Sequence, residues 1–80
     1  MAKSIKFLFE IEVFDISIHK AELTVDDKWK CELENVKSGQ EIEIPVEKLK
    51  DENGNSFPED KVPKSLEVNA SEGRFKFELR

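Results

Sequence analysis

Apolar residues occupy every second position through most of this chain. Ile5, Phe7, Phe9, Ile11 and Val13 alternate with charged or polar residues, with Leu8 as the exception. The spacing returns in Ala21, Leu23 and Val25, in Trp29, Cys31 and Leu33, in Ile42, Ile44 and Val46, and in Phe75, Phe77 and Leu79. Successive side chains of an extended strand point to opposite faces, so this period predicts strands with one buried and one solvated face. The chain reads as all-β.

The first strand is predicted over residues 4–13. At Val13-Phe14 the alternation changes phase, because Phe14, Ile16 and Ile18 are even-numbered, and it returns to odd at Ala21, near His19-Lys20. A strand cannot keep one face buried through such shifts unless it bulges, bends or passes to a second sheet. The region therefore predicts a strand that serves two sheets, or a sharply coiled barrel strand. A hairpin follows, with Ala21–Val25 and Trp29–Glu34 flanking Asp26-Asp27-Lys28. Residues 35–40 turn through Ser38-Gly39 into a strand over 41–46. Ser38 and Glu41 have capping-box spacing, but Ile42, Glu43, Ile44 and Pro45 read as a strand, and Pro45 sets it at an edge or a sheet end.

Residues 47–64 are the least regular stretch. Val46–Lys50 fits one helical turn, Asp51-Glu52-Asn53-Gly54-Asn55 is a turn signal, and Pro58 and Pro63 prevent extended pairing. A last hairpin is expected from Leu66–Ala70 and Arg74–Leu79 around Ser71-Glu72-Gly73, with Gly73 free to take the left-handed conformation. Six or seven short strands predict a small antiparallel β-sandwich, with a partly open β-barrel as the alternative.

Eighty residues make a single domain over 1–80 with a modest core. The 18 acidic residues outnumber the 13 basic ones, and the halves are alike, net −2 over residues 1–40 and net −3 over 41–80. Such a balance disfavours direct attraction to nucleic acid. Lys and Glu sit mostly between apolar residues, as solvated sheet faces require. One cysteine, Cys31, cannot form an internal disulfide and lies on the apolar face, where it reads as a small buried hydrophobe. The opening MAKSIKF lacks the apolar run of a signal peptide, and no stretch approaches a membrane span. The expectation is therefore a cytoplasmic rather than a secreted chain, without a membrane partner. One glycosylation sequon, Asn69-Ala70-Ser71, falls at the last predicted turn.

No constellation for catalysis stands out. His19 has no second histidine or cysteine at ligand spacing, and it falls on the polar side of its strand. Asp51, Asn53 and Asn55 match a calcium loop in part, but Ser56 stands where glycine is needed and Val62 where glutamate is needed, so a polar turn accounts for them better. Same-face carboxylate pairs such as Glu10/Glu12 and Glu32/Glu34, ~7 Å apart, arise from strand alternation alone and define no acid–base site. Phe7, Phe9, Phe75 and Phe77 share the phase of the aliphatic core, so they read as packing rather than as a base-stacking surface. Phe57, beside Pro58, is the aromatic expected to be partly exposed, either as a plug over the end of the barrel or as a contact. No cofactor or metal is expected, and the chain is not read as an enzyme.

The segment Val62-Pro63-Lys64-Ser65-Leu66-Glu67-Val68-Asn69-Ala70-Ser71-Glu72-Gly73-Arg74-Phe75 resembles the signature of cadherin-like or immunoglobulin-type β-sandwich repeats. There Leu-Pro is followed by a leucine, a hydrophobe-Asp pair and a Gly-x-Phe turn. Val62 stands for the leucine, Asn69 for the aspartate, and Phe77 where that pattern usually has glycine. The resemblance implies an immunoglobulin-like sandwich with an adhesion or spacer role.

The functional expectation is a non-enzymatic module that binds a protein partner through an edge strand or through the loop 47–64. Asp51, Asn55, Phe57, Glu59 and Asp60 are the expected contacts, and homo-oligomers through edge strands are a further mode. Two alternatives remain open at this point. One is a small acidic inhibitor covering the basic, nucleic-acid-binding surface of a target; the other is a structural module of a virus particle or surface protein.

Overall fold

Six strands carry the alternating segments: β1 (Ser4–Phe9), β2 (Ser17–Val25), β3 (Trp29–Lys37), β4 (Gln40–Pro45), β5 (Ser65–Ala70) and β6 (Gly73–Glu78). They are seen in a computed structural model that describes residues 4–10 and 17–78. One 3-10 turn, Val46–Lys48, follows β4 where a single helical turn is predicted. β1 pairs with β4 in a two-stranded sheet, and β3-β2-β5-β6 form a four-stranded one, with every pairing antiparallel. The two sheets face each other as an open sandwich rather than closing into a barrel.

The inward faces follow from the period of two. Ile5, Phe7 and Phe9 of β1 stand beside Ile44 and Ile42 of β4, and across the sandwich lie Leu23, Val25, Leu66 and Val68. Each such side chain, fully buried, contributes about 1.5–3 kcal/mol. Phe9 rests edge-on against Phe75 at 5.7 Å and also touches Phe77 at 5.7 Å, while Phe7 meets Phe77 at 5.8 Å. These rings join β1 to β6 across the core. Phe75 and Phe77 are only half-buried, because β6 is an outer strand of its sheet.

The predicted return of phase near His19-Lys20 has an unexpected form. Ile18 is buried, His19 and Lys20 are both exposed, and Ala21 is buried again. β3 does the same in mirror order, with Leu33 buried, Glu34 and Asn35 exposed, and Val36 buried. The register never slips, since Ile18 faces Val36 and Ala21 faces Leu33. Both strands therefore turn over together, with no inserted residue. Asn35 sits at φ 54°, a left-handed conformation that asparagine tolerates, and its Oδ1 lies 3.3 Å from Nδ1 of the exposed His19. The other phase change, at Val13-Phe14, lies outside the described residues, as do Glu12 of the Glu10/Glu12 pair, residues 11–13 of the predicted first strand, and Leu79.

The links fix the topology. Asp26 and Asp27, at φ 51° and 58°, form the β2–β3 turn that Lys28 N–H closes on Val25 C=O at 3.1 Å. Ser38-Gly39 carries the chain from the four-stranded to the two-stranded sheet. Gly39 takes φ 83° and donates its N–H to Phe9 C=O at 2.8 Å, so the crossing is tied to the end of β1. The β5–β6 turn is tighter than expected, with only Ser71-Glu72 between the paired residues Ala70 and Gly73. Gly73, at φ 152°, is already in β6. This corrects the expected place of the sequon. Asn69 lies inside β5 between Glu22 and Arg74, half-buried, with its amide donating to Glu67 Oε1 at 3.0 Å.

Candidate interaction site at the loop end

The β2–β3 turn and the long connection 47–64 meet at one end of the sandwich. The connection is more ordered than its sequence suggests. Lys50 pairs with Lys30 through both backbone groups, at 2.9 and 3.1 Å, and also bridges to Ser56, while Phe57 N–H donates to Leu49 C=O at 3.1 Å. Residues 49–57 thus form a miniature hairpin laid along the outer edge of β3. Its tip is held by Asp51. One carboxylate oxygen accepts the N–H groups of Asn55 at 2.8 Å and Asn53 at 2.9 Å, and the other receives the Asn55 amide at 3.4 Å. The Asn55 backbone N–H is the main reason that the Asp51 carboxyl stays below its ordinary range. Both oxygens of the residue that would lead a calcium loop are engaged in shaping a turn.

Phe57 requires a correction. It is 2% exposed, not partly exposed, and its ring meets Trp29 edge-on at 4.9 Å. The return of residues 56–57 onto Leu49 and Lys50 drives the ring into the core as a plug over the end of the sandwich. Lys61 lies over this pair, with Nζ 4.3 Å from the Trp29 ring centre, 5.9 Å from that of Phe57 and 3.8 Å from Asp26 Oδ2. Lys28 Nζ approaches the same indole at 4.8 Å. Cation–π contacts of this kind contribute about 0.5–1 kcal/mol at exposed sites.

Asp26 is the anchor of the returning chain. Its Oδ1 accepts the N–H groups of Lys64 at 2.8 Å and Ser65 at 3.0 Å, and its own N–H donates to Ser65 C=O at 3.0 Å. Its Oδ2 and the Trp29 Nε1 are buried with no hydrogen bond among the described residues, and Lys61 is the charge that faces the carboxylate. Between the plug and this anchor the chain projects outward. Glu59 and Asp60 are exposed, and Val62 is 74% exposed, the larger of two such values among the large hydrophobics, Leu8 being 47%.

Asp27, Lys28, Lys30, Lys50, Asp51 and Glu52 line an open cleft of about 390 Å³ beside the hairpin. Three lysines face three carboxylates there, so the cleft offers charges of both signs rather than a single-sign field. Cys31, next along β3, is half-buried, and desolvation pushes its thiol up to about 11, so it stays protonated at neutral pH.

Of the residues expected to make contacts, Asp51, Asn55, Glu59 and Asp60 do fall in this one region, with Asp51 half-buried and the other three exposed. Asp26, Lys61 and Val62 escaped the sequence reading. Asp26 gave a turn signal, but its partners lie 38 and 39 residues away. Val62 could have been found as an apolar residue between Lys61 and Pro63 in a stretch with no alternation. Comparison of the chain with family models, with curated proteins and with solved structures finds no match.

Proposed function

We propose that this domain is a non-enzymatic protein-binding module of the immunoglobulin-like type, and that it binds through the loop end. The observation that carries the reading is Val62, an apolar side chain exposed on a segment pinned at both ends. Phe57 is buried on one side of it, and Lys64 and Ser65 are held by Asp26 on the other. A loop ordered before it meets a partner loses less conformational freedom on binding, which favours affinity. Glu59 and Asp60 flank the apolar contact with charge, as the polar rim of an interface does. At this end of the molecule the loop is favoured over the β3 edge, because Lys50 already occupies that edge at Lys30.

The test is affinity capture followed by titration of the purified partner against variants. Val62→Asp and the pair Glu59→Lys/Asp60→Lys should each weaken binding at least about tenfold, whereas Glu34→Lys, at the other end of β3, should leave it unchanged. Wild-type affinity in both loop variants, or equal loss in all three proteins, removes the loop as the binding surface.

A further inference from the structure

A second surface lies away from the loop end, on the outer edge of β6. Backbone groups along an antiparallel ladder alternate between the two sides of a strand. The two-residue turn closes on Ala70–Gly73, so Gly73, Phe75 and Phe77 direct their backbone N–H and C=O toward β5. The hydrogen bond from Asp26 N–H to Ser65 C=O fixes the same alternation on the β2 side of β5. Arg74, Lys76 and Glu78 therefore point their backbone groups outward, and among the described residues β6 pairs with β5 alone. No proline or bulge interrupts the strand.

This edge is complementary to itself in the register that pairs residues 74–78 with residues 74–78 of a second strand. We propose that β6 pairs antiparallel with β6 of a second copy about an axis at Lys76, joining two four-stranded sheets into one. In that register every outward-pointing residue meets another outward-pointing one, so all the exposed backbone groups find partners. Arg74 lies opposite Glu78 of the second copy, twice over. Phe75 lies opposite Phe77 of the second copy on the inner face, also twice, at the non-hydrogen-bonded positions where side chains come closest. Those are the two rings that the sandwich leaves half-buried. Lys76 meets its own copy at the axis, and each of the two lysines keeps Glu67 as its neighbour across the β5–β6 ladder. Moving the axis to Phe75 sets Arg74 against Lys76, a like-charge pair. A shift by one residue sets outward groups against inward ones and loses the ladder. The partner is another copy of this chain.

Light scattering coupled to gel filtration, over a concentration series, tests the pairing. The wild type should run at twice the chain mass, with dissociation on dilution. Arg74→Glu and Glu78→Arg should each weaken the dimer at least about tenfold, since each turns two attractive contacts into repulsive ones. Mixed in equal amounts, these two variants should form a heterodimer, because one contact then sets the two introduced charges against each other and the other restores the native Arg74–Glu78 pair. Lys76→Pro removes an outward N–H without touching the bond to β5, and should give a folded monomer by circular dichroism. A wild type that stays monomeric throughout overturns the proposal, as does a dimer that survives Arg74→Glu and Lys76→Pro, or a mixture that fails to associate. The loop-end reading is untouched by any of these results, since Val62→Asp leaves β6 intact.

Discussion

The two outer strands of the four-stranded sheet, β3 and β6, are treated in opposite ways. β3 is shielded. Lys50 takes both backbone groups of Lys30, the 3-10 turn at Val46–Lys48 leads into that bridge, and toward the other end Asn35 turns the strand over with a left-handed residue before the chain crosses to β4. β6 has six regular residues, no such cover among the described residues, and two half-buried rings behind its edge. An exposed strand edge is a template for another strand, and proteins usually bend, charge or cover it. Here one edge is engaged at Lys30, where the strand begins, by the chain's own connection, and the other is left complementary to itself. The difference teaches that residues 47–57 have a structural task beside any contact they make: they block the start of an edge.

The largest test of that contrast removes the plug. Phe57→Ala should cost about 3–5 kcal/mol in denaturant unfolding, because it empties a buried site against Trp29 and loosens the bridge that Lys50 makes. Quenching of Trp29 fluorescence by iodide should rise with it. Unchanged stability would mean that the miniature hairpin does not hold the β3 edge.

The sharpest test makes one substitution at both edges. Lys30→Pro removes an N–H that donates to Lys50 C=O at 2.9 Å and should cost about 1–3 kcal/mol. Lys76→Pro removes an N–H that faces away from β5, so the monomer should lose no more than about 1 kcal/mol. Equal losses would erase the distinction between the edges.

Smaller effects follow from two titrating groups on the shielded side. Cys31 has its thiol raised from 9.0 to about 11. Its folded-state value lies above the unfolded one, so its contribution to stability is complete below pH 9 and is lost as pH rises toward 11. Labelling by a thiol reagent at pH 8 should accordingly run slower in the folded than in the unfolded protein. Asp51 has the opposite sign. Its folded-state value is lowered below 3.8, so the stability it lends is present above that pH and fades as acid protonates the folded carboxylate. Amide exchange at Asn53 and Asn55 should speed up there before the sheets open.

The strands were legible in the sequence because burial on one face imposes a period of two that no loop imitates for long. The turns at Asp26-Asp27-Lys28 and Ser38-Gly39 were legible because aspartate and glycine accept positive φ. What escaped depends on distance along the chain. Phe57 stands in a stretch with no period, and its burial is decided by Trp29, 28 residues earlier, which local pattern cannot express. Of the sequon only Ser71 reaches the turn, and Asn69 is held inside the ladder because β5 pairs on both sides, with Glu22 and with Arg74. The paired turnover of β2 and β3 was half visible. Ile18 to Ala21 showed it on one strand, and the same three-residue spacing from Leu33 to Val36 stood unread on the other.

The crossing at Ser38-Gly39 has a mechanical consequence. Two residues joining layers on opposite sides of the core leave no slack, and the bond from Gly39 to Phe9 anchors that short clasp to a third strand. Neither layer can peel away while the other stays intact, so heat should melt them as one cooperative unit. The calorimetric and van't Hoff enthalpies should then agree, and lengthening the clasp with inserted glycines should pull them apart.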